Sequence, residues 1–258
     1  MKAGSGNTVI LCFHGYGETA DYFAFLAKLL PPEQYGLIAV DLPFHGKTVW
    51  NEGLNFFPDD LQKITQLILE QSSITPGQKI IVTGFSLGGR MALQLFQSMP
   101  AQIHKLVLMA PDGLKVNSWY WLATQTKAGN KFFAFTMKKP GWFFGLLRLM
   151  NKLKLVNSSI FKFVNFYIGD PEVRRLLYSR WTTLRKIKPS LPVIKHYIRE
   201  NKTSVRLVYG KHDRIILSSV GEKFKKDIEE HCTLTVINSG HQVLHEKHGE
   251  EIIQALLY

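Results

Sequence analysis

The chain has 258 residues, a hydrophobic content of 45% and a formal net charge of +12. This length and composition are typical of a globular protein with a large core. No window contains 18 consecutive apolar residues, which excludes a conventional transmembrane helix. The N-terminus has no apolar signal region, and Cys12 and Cys232 lack the spacing of a disulfide framework or a metal site. A cytoplasmic location is therefore expected, with both cysteines in the core.

The positive charge is concentrated in one segment. Residues 113–199 contain 17 Lys or Arg and only two Asp or Glu, together with 16 of the 31 aromatic residues. This change of composition indicates an insertion into a single α/β domain. The predicted core therefore comprises residues 1–112 and 200–258, and the predicted helical insertion comprises residues 113–199.

Outside the insertion, short apolar runs alternate with helical spacing. The predicted strands lie at residues 8–13, 37–40, 79–82, 103–110, 205–209 and 234–237. Amphipathic helices are predicted between them, at about 23–30, 61–68, 90–96 and 219–230, with a closing helix from about 246. Such alternation predicts a parallel sheet covered on both faces. Inside the insertion the strongest helical windows are 117–127, 141–155 and 172–187.

A serine between two glycines follows the third predicted strand, in the stretch Thr83-Gly84-Phe85-Ser86-Leu87-Gly88-Gly89. A Gly-x-Ser-x-Gly pattern between a strand and a helix is typical of a nucleophile elbow. The glycines allow a sharp turn, and the following helix directs its first N–H groups towards the serine. Five-residue patterns also arise by chance, so this assignment depends on finding the partners of a catalytic triad.

Five motifs in order resemble those of the α/β-hydrolase superfamily. They are Phe13–Gly17, Asp41–Gly46, the elbow around Ser86, Tyr209–Asp213 and Ser239–His241, each at the end of a predicted strand. The basic insertion begins after the strand that follows the elbow, where this superfamily places its cap or lid.

The resemblance implies an α/β fold with a doubly wound, mainly parallel sheet and a helical cap insertion. Members of the superfamily usually begin with an antiparallel hairpin, but only seven residues precede Thr8. We therefore expect about six parallel strands in the spatial order 2-1-3-4-5-6, without that hairpin. The switch point of such a sheet would place the loop after Phe13 beside the elbow.

The same resemblance assigns a role to each motif. Ser86 is the expected nucleophile, His241 the general base, and Asp213 the carboxylate that orients the histidine. The backbone N–H groups of Tyr16 and Leu87 are expected to form an oxyanion hole. Asp112 also lies at a strand end, where some members of the superfamily carry the acid, and it remains an alternative to Asp213.

Other polar residues near these motifs have simpler interpretations. His14 resembles a structural histidine that braces the oxyanion loop, and His45 is expected to be structural as well. His245 and His248 are expected at the surface, or, in the case of His245, beside the site. Arg90 either pairs with a carboxylate or contacts an anionic substrate.

The insertion mixes bulky apolar residues with cations, as in residues 142–154 and 161–167. It can be a cap whose aromatic faces pack over the site while lysines face solvent. It can instead meet an anionic membrane surface, or attract acidic substrates. Nucleic acid is not an expected partner, because no recognised binding motif accompanies the charge.

The sequence therefore predicts a serine hydrolase that cleaves the carboxylic ester of a small-molecule substrate with an apolar or acyl group. It predicts a lipase-like or medium-chain esterase preference and no need for a metal or organic cofactor. One alternative is a lyase that cleaves a C–C bond in an anionic substrate, because the Gly89-Arg90 pair resembles that of menaquinone-pathway lyases with this fold. Another is a binding protein without catalytic activity. The binding alternative would be favoured if Ser86, Asp213 and His241 lay beyond hydrogen-bond contact.

Overall fold

The computed structural model describes residues 1–75, 77–153 and 168–258. The chain forms two compact units. The core unit comprises Met1–Thr48, Phe57–Lys115 and Ile187–Tyr258, and the insertion unit comprises Val49–Phe56 and Val116–Lys186. The insertion was predicted at residues 113–199. The insertion unit includes the additional segment 49–56, and its main segment ends at residue 186. Its role as a cap stays a prediction, and the aromatic stretch at 161–167 lies outside the described residues.

The core unit contains a seven-stranded sheet in the order β1-β3-β2-β4-β5-β6-β7. The strands are β1 (Lys2–Ala3), β2 (Thr8–Phe13), β3 (Tyr35–Val40), β4 (Lys79–Phe85), β5 (Ile103–Met109), β6 (Ser204–Gly210) and β7 (Cys232–Ile237). Strands β2 to β7 are parallel and have the predicted spatial order, which confirms the doubly wound sheet. The two-residue β1 pairs antiparallel with β3 and adds a short edge to the six predicted strands.

The register of the sheet brings two predicted site loops together. Thr8 of β2 lies opposite Lys79 of β4, and the pairing continues to Phe13 opposite Gly84. Both strands therefore end at the same level, and the loop after β2 begins beside the elbow that follows β4. Residues Val9 to Phe13 are at most 1% exposed, because a central parallel strand is covered on both faces.

Six α-helices of the described core flank this sheet. They are α1 (Ala24–Leu29), α2 (Pro58–Gln71), α3 (Leu87–Ser98), α8 (Leu191–Asn201), α9 (Ser218–Lys225) and α10 (Gly249–Leu257). Helix α3 contacts β2, β4 and β5 on one side and α2 and α8 on another. Its residues from Leu87 to Phe96 are all buried, so the helix that follows the elbow has little freedom to move.

The described part of the insertion unit contains four α-helices. They are α4 (Ser118–Gln125), α5 (Lys127–Lys138), α6 (Gly141–Lys152) and α7 (Pro171–Thr183). Helices α4, α6 and α7 correspond to the three predicted windows, whereas α5 was not predicted. The weak helix formers Gly129 and Asn130 obscure it, although Thr126 caps it by accepting a hydrogen bond from the Gly129 N–H at 2.9 Å. Within the described ranges, no helix is long and apolar enough to cross a bilayer.

Lys105 is a buried cation in β5 of the core. Its ammonium group donates to the carbonyl oxygen of Leu256 at 2.9 Å, near the C-terminus of α10. Burial, with a smaller contribution from the nearby charge of Arg206, lowers the pKa of Lys105 to about 8. The charged form is therefore less stable in the folded protein than in the unfolded chain.

This pKa predicts a pH-dependent contribution to stability. Between about pH 8 and the unfolded value of 10.5, the unfolded chain binds more protons at Lys105 than the folded protein does, so stability rises with pH. Relative to Lys105→Met, the wild type should gain on the order of 2 kcal/mol of unfolding free energy over this window.

Chemical denaturation of both proteins at pH 7.5 and at pH 10.5 measures this gain. Comparison with the variant is needed because burial also raises the pKa of Cys232 to about 12, which lowers stability in the same range. If the unfolding free energies of the two proteins changed by the same amount between these pH values, the prediction would be contradicted.

Candidate active site

The elbow places Ser86 in a strained backbone conformation at the junction of β4 and α3. Its φ of 49° and ψ of −113° lie in a region that residues with a Cβ atom rarely adopt. The flanking glycines are required by close backbone contacts. A Cβ atom on Gly84 would lie 2.2 Å from the Gly88 carbonyl oxygen, and one on Gly88 would lie 1.9 Å from the Phe13 carbonyl oxygen.

Backbone hydrogen bonds hold this conformation in place. The Ser86 N–H donates to the Met109 carbonyl at 2.9 Å, and the Ser86 carbonyl accepts from the N–H groups of Gly89 at 2.9 Å and Asp112 at 2.8 Å. Leu87 is the first residue of α3, so its N–H has no acceptor four residues earlier in the helix. The serine is thereby presented at the positive end of a helix.

The structure brings together the three residues predicted to form the triad. The Nε2 atom of His241 lies 3.0 Å from Ser86 Oγ, and its Nδ1 atom lies 2.8 Å from Asp213 Oδ2. The Asp213 side chain is fully buried, whereas the His241 side chain is 20% exposed. A carboxylate oxygen accepts, so Nδ1–H of His241 donates to Asp213 and Nε2 is left to accept from the Ser86 hydroxyl.

The loop after β6 fixes the carboxylate of Asp213. Its second oxygen, Oδ1, accepts from the N–H groups of Ile215 at 2.7 Å and Ile216 at 3.0 Å. Three donors therefore hold the two oxygens in one orientation. Since the side chain is buried, these bonds and the His241 ring replace the water that an exposed carboxylate would bind.

Asp112, the alternative acid, has a different partner. Its Oδ2 atom accepts from Arg90 at 2.6 Å, and its Oδ1 atom accepts from the N–H of Gly113 at 2.7 Å. The Arg90 side chain is only 10% exposed. Of the two predicted carboxylates, Asp213 contacts His241 and Asp112 contacts Arg90.

A model of the family described as serine aminopeptidase, S33, matches residues 4–248. The chain belongs to this family. Its fold is that of the α/β hydrolases, as the five sequence motifs predicted.

Three proteins serve as examples of similarity to this chain. An uncharacterized hydrolase of Bacillus subtilis, YugF, is 22% identical over 94% of this chain and 86% of its own length. A pimeloyl-[acyl-carrier protein] methyl ester esterase of Pectobacterium atrosepticum is 31% identical over 42% of this chain and 38% of its own length. The solved structure of MenH from S. aureus superposes with a TM-score of 0.68 at 16% identity, covering 99% of this chain and 96% of MenH. This last similarity concerns the fold.

In this S33 family member, His14 links the first two loops of the sheet edge. The ring is fully buried, and its Nε2 atom accepts from the Leu42 N–H at 3.0 Å while Nδ1 lies 2.8 Å from the Gly15 carbonyl oxygen. The ring of His45 packs against it at 5.0 Å and against Tyr16 at 6.0 Å. These contacts agree with a bracing function for His14. The oxyanion role of the Tyr16 and Leu87 N–H groups stays a prediction.

The remaining histidines differ in their exposure. His212 is exposed and lies 3.1 Å from Asn238 Oδ1, and His245 is exposed as expected. The prediction for His248 was wrong, because this residue is 6% exposed. It occupies the short 3-10 turn that leads into α10, where the start of the amphipathic helix turns it inwards. Among the residues that the structure describes, no cluster of His, Cys, Asp or Glu could hold a metal ion.

Sequence reasoning missed the connection between Glu18 and Gln242. The Glu18 side chain is buried, and its Oε2 atom accepts from the Gly15 N–H at 2.9 Å. Its Oε1 atom accepts from the Gln242 amide at 2.8 Å. Gln242 directly follows His241, so this carboxylate connects the predicted oxyanion loop with the loop of the predicted base. A carboxylate three residues after the first glycine of the His14–Gly17 loop was the available sequence signal.

Burial of Glu18 has an electrostatic cost. Loss of hydration raises the pKa of Glu18, although the hydrogen bonds from Gln242 and Gly15 and the proximity of His241 oppose this effect. Phe85 also contacts the base, with 5.3 Å between its ring centroid and that of His241. The predicted base is thus positioned by Asp213, by an aromatic ring and, through its neighbour Gln242, by Glu18.

Glu18→Gln tests whether this connection positions the site. An amide has one accepting oxygen, so it cannot accept through two separate oxygens from Gly15 and Gln242 as the carboxylate does. We expect the rate of Ser86 labelling by a fluorophosphonate to fall by about tenfold, since small displacements of catalytic groups reduce reactivity strongly.

Glu33→Gln, at an exposed carboxylate of the same unit, serves as the matched control. Thermal unfolding should show that all variants fold. Equal labelling of the wild type and Glu18→Gln would contradict a positioning role.

Proposed function

We propose that this S33 family member is a serine hydrolase that cleaves carboxylic esters through Ser86, His241 and Asp213. The observation that carries the proposal is the continuous chain of hydrogen bonds from Ser86 Oγ through His241 to Asp213, at 3.0 and 2.8 Å. A serine hydroxyl is a weak nucleophile at neutral pH and needs a base within this distance.

The geometry supports a two-step reaction through an acyl-enzyme. Ser86 Oγ attacks the ester carbonyl while His241 Nε2 takes the hydroxyl proton, and Asp213 stabilises the imidazolium that forms. The oxyanion of the tetrahedral intermediate would accept from the N–H groups of Leu87 and Tyr16. His241 then returns the proton to the departing alkoxide, leaving the acyl group on Ser86.

In the second step, water replaces Ser86 as the nucleophile, and Ser86 Oγ becomes the leaving group. A water molecule donates its proton to His241 Nε2 and attacks the acyl carbon, and collapse of the second tetrahedral intermediate returns the proton to Ser86 Oγ. The products are a carboxylic acid and the regenerated enzyme. No step in this sequence requires a metal ion or an organic cofactor.

The choice of an ester rests on similarity and composition. The matched relative from Pectobacterium atrosepticum is named as a methyl ester esterase, and its 107 aligned residues are 31% identical. The aromatic residues of segment 113–199 favour an apolar acyl group in a small-molecule substrate. This similarity and the aromatic composition support an esterase-like or lipase-like activity.

The alternatives receive less support from the side chains. A lyase acting on an anionic substrate would use Arg90 as an anion-binding group, but this residue is buried and paired with Asp112 at 2.6 Å. A binding protein without catalytic activity would not need Ser86 and His241 within hydrogen-bond distance. A hydrolase therefore agrees better with both observations.

Ester hydrolysis is tested with nitrophenyl esters of increasing chain length, from acetate to palmitate. We expect turnover by the wild type, with a burst of nitrophenol that is stoichiometric with enzyme if deacylation is the slower step. Ser86→Ala should lower kcat by at least about 10³-fold, because the nucleophile is removed.

Ser98→Ala, at the other end of α3, is the matched control and should retain activity. The optimum chain length then measures the acyl preference. If a folded wild type turned over none of these esters, the ester proposal would fail, and C–C cleavage of an anionic substrate would be assayed next.

The identity of the acid is tested by comparing Asp213→Asn with Asp112→Asn. An asparagine at 213 can donate to His241 Nδ1 and would favour the wrong tautomer, so kcat should fall by on the order of 10³-fold to 10⁴-fold. Asp112→Asn leaves His241 untouched and should reduce kcat by less than about tenfold. A larger loss for Asp112→Asn in a folded variant would reassign the acid.

A further inference from the structure

Helix α6 of the insertion unit exposes a row of large apolar side chains. Trp142, Leu146, Leu149 and Leu153 follow the spacing i, i+4, i+7 and i+11, which places them on one helical face. Their exposed fractions are 38, 46, 54 and 59%, in that order. A row of this size on a folded protein indicates an interaction surface rather than scattered surface residues.

Helix α5 extends the same apolar region. Phe132 and Phe135 are 57% and 48% exposed, and the ring of Phe132 lies 5.1 Å from the ring of Trp142 on α6. The neighbouring Phe133 instead packs against Trp181 of α7 at 5.6 Å, so α5 uses a different face for its contacts within the unit. The two helices therefore share one exposed aromatic and aliphatic region.

The charges within the segment that carries this region all have one sign. Residues 116–153 contain six Lys or Arg and no Asp or Glu. We call the apolar region together with these cations the α5–α6 surface. Its exposed members are Lys127, Lys131, Phe132, Phe135, Lys138, Lys139, Trp142, Leu146, Arg148, Leu149, Lys152 and Leu153.

We propose that the α5–α6 surface binds the interface of an anionic lipid bilayer. Helices with an aromatic and aliphatic face bordered by cations lie in the plane of such interfaces, with the apolar side chains inserted below the headgroups. Lysines and arginines beside that face reach the phosphates with flexible side chains. The absence of carboxylates from residues 116–153 removes the repulsion that anionic lipids would otherwise encounter.

The composition favours lipid over an acidic protein partner. Protein interfaces are depleted in lysine, whereas five of the six cations in residues 116–153 are lysines, at 127, 131, 138, 139 and 152. The proposal goes beyond ester hydrolysis and does not rest on it, because lipid binding is measured without any substrate.

Vesicle co-sedimentation with the full chain tests the proposal. The wild type should bind vesicles that contain phosphatidylglycerol at least about tenfold more tightly than vesicles of phosphatidylcholine alone, because each cation near an anionic surface adds to the attraction. Raising the salt concentration from 0.1 to 0.5 M, on the order of a twofold reduction in screening length, should weaken this binding.

Two double variants separate the apolar and charged contributions. Leu146→Ser with Leu149→Ser removes inserted side chains, and Lys131→Gln with Lys138→Gln removes cations; each pair should weaken binding to anionic vesicles by roughly tenfold. The matched control is Leu67→Ser with Lys63→Gln on α2, because Leu67 is 54% exposed like Leu149. The control should bind like the wild type.

Circular dichroism of each variant checks that it is folded. Equal binding to neutral and anionic vesicles, or equal loss in the α5–α6 and α2 variants, would overturn the proposal. Poly-glutamate provides a probe for the competing partner class. Retention by poly-glutamate without any vesicle binding would also overturn the proposal and would favour an acidic protein.

Discussion

The contact between the backbones of Gly88 and Phe13 is the constraint on which the candidate site depends. It brings the first turn of α3 against the end of β2, so that a Cβ atom on Gly88 would lie only 1.9 Å from a carbonyl oxygen. Ser86 must turn through a disfavoured backbone conformation to make this approach possible. This turn directs the Ser86 hydroxyl away from the edge of the sheet, and its Oγ atom lies 3.0 Å from His241 Nε2.

The parallel sheet supplies the energy that maintains this arrangement. Strand β4 lies between β2 and β5, and the backbone of Ser86 continues the pairing by donating to Met109 at the end of β5. Each strained residue costs on the order of 1–3 kcal/mol and persists only when its surroundings determine its conformation. Buried pairing on both sides of β4 and the buried helix α3 provide such surroundings.

Hydrogen bonds also give the carboxylates that follow β5 and β6 different partners. Asp213 receives two backbone N–H groups on one oxygen and His241 on the other, while Asp112 is occupied by Arg90 and Gly113. The sequence placed both acids at strand ends, favoured Asp213 through motif order and left Asp112 as an alternative, because the choice depends on which loop passes nearest to the histidine. That distance is a property of the folded sheet.

Local signals explain which features the sequence could predict. In β2, the run from Val9 to Phe13 is continuously apolar and at most 1% exposed, so composition alone predicts such strands, and motif order predicts Ser86, Asp213 and His241 as site residues. Helix α5 was not predicted because Gly129 and Asn130 weaken the intrinsic helix propensity of its sequence. Packing against α7 stabilises the helix in the folded protein. The contact between Glu18 and Gln242 joins residues 224 positions apart, and no local pattern specifies such a pair.

Two buried charged side chains of the core, Glu18 and Lys105, lower the stability of the folded protein through their loss of hydration. Loss of hydration disfavours the charged forms of both Glu18 and Lys105, and it shifts their pKa values in opposite directions. Lys105 lies at the end of α10, where a cation complements the helix dipole and satisfies the Leu256 carbonyl. Glu18 has no comparable helix end to stabilise, since its partners are Gly15 and Gln242 on two loops at the candidate site.

A polar contact of this kind joins loops that an apolar residue would leave independent. Its energetic cost is therefore understandable if relative placement of the two loops matters for function, because a connection through two oxygens fixes both distance and orientation. The backbone strain at Ser86 is likewise an energetic cost that brings no structural benefit to the sheet itself. Strain and buried charge thus coincide in the core unit at the edge where β2, β4, β6 and β7 end, and this coincidence distinguishes a candidate active site from an ordinary strand-to-helix turn.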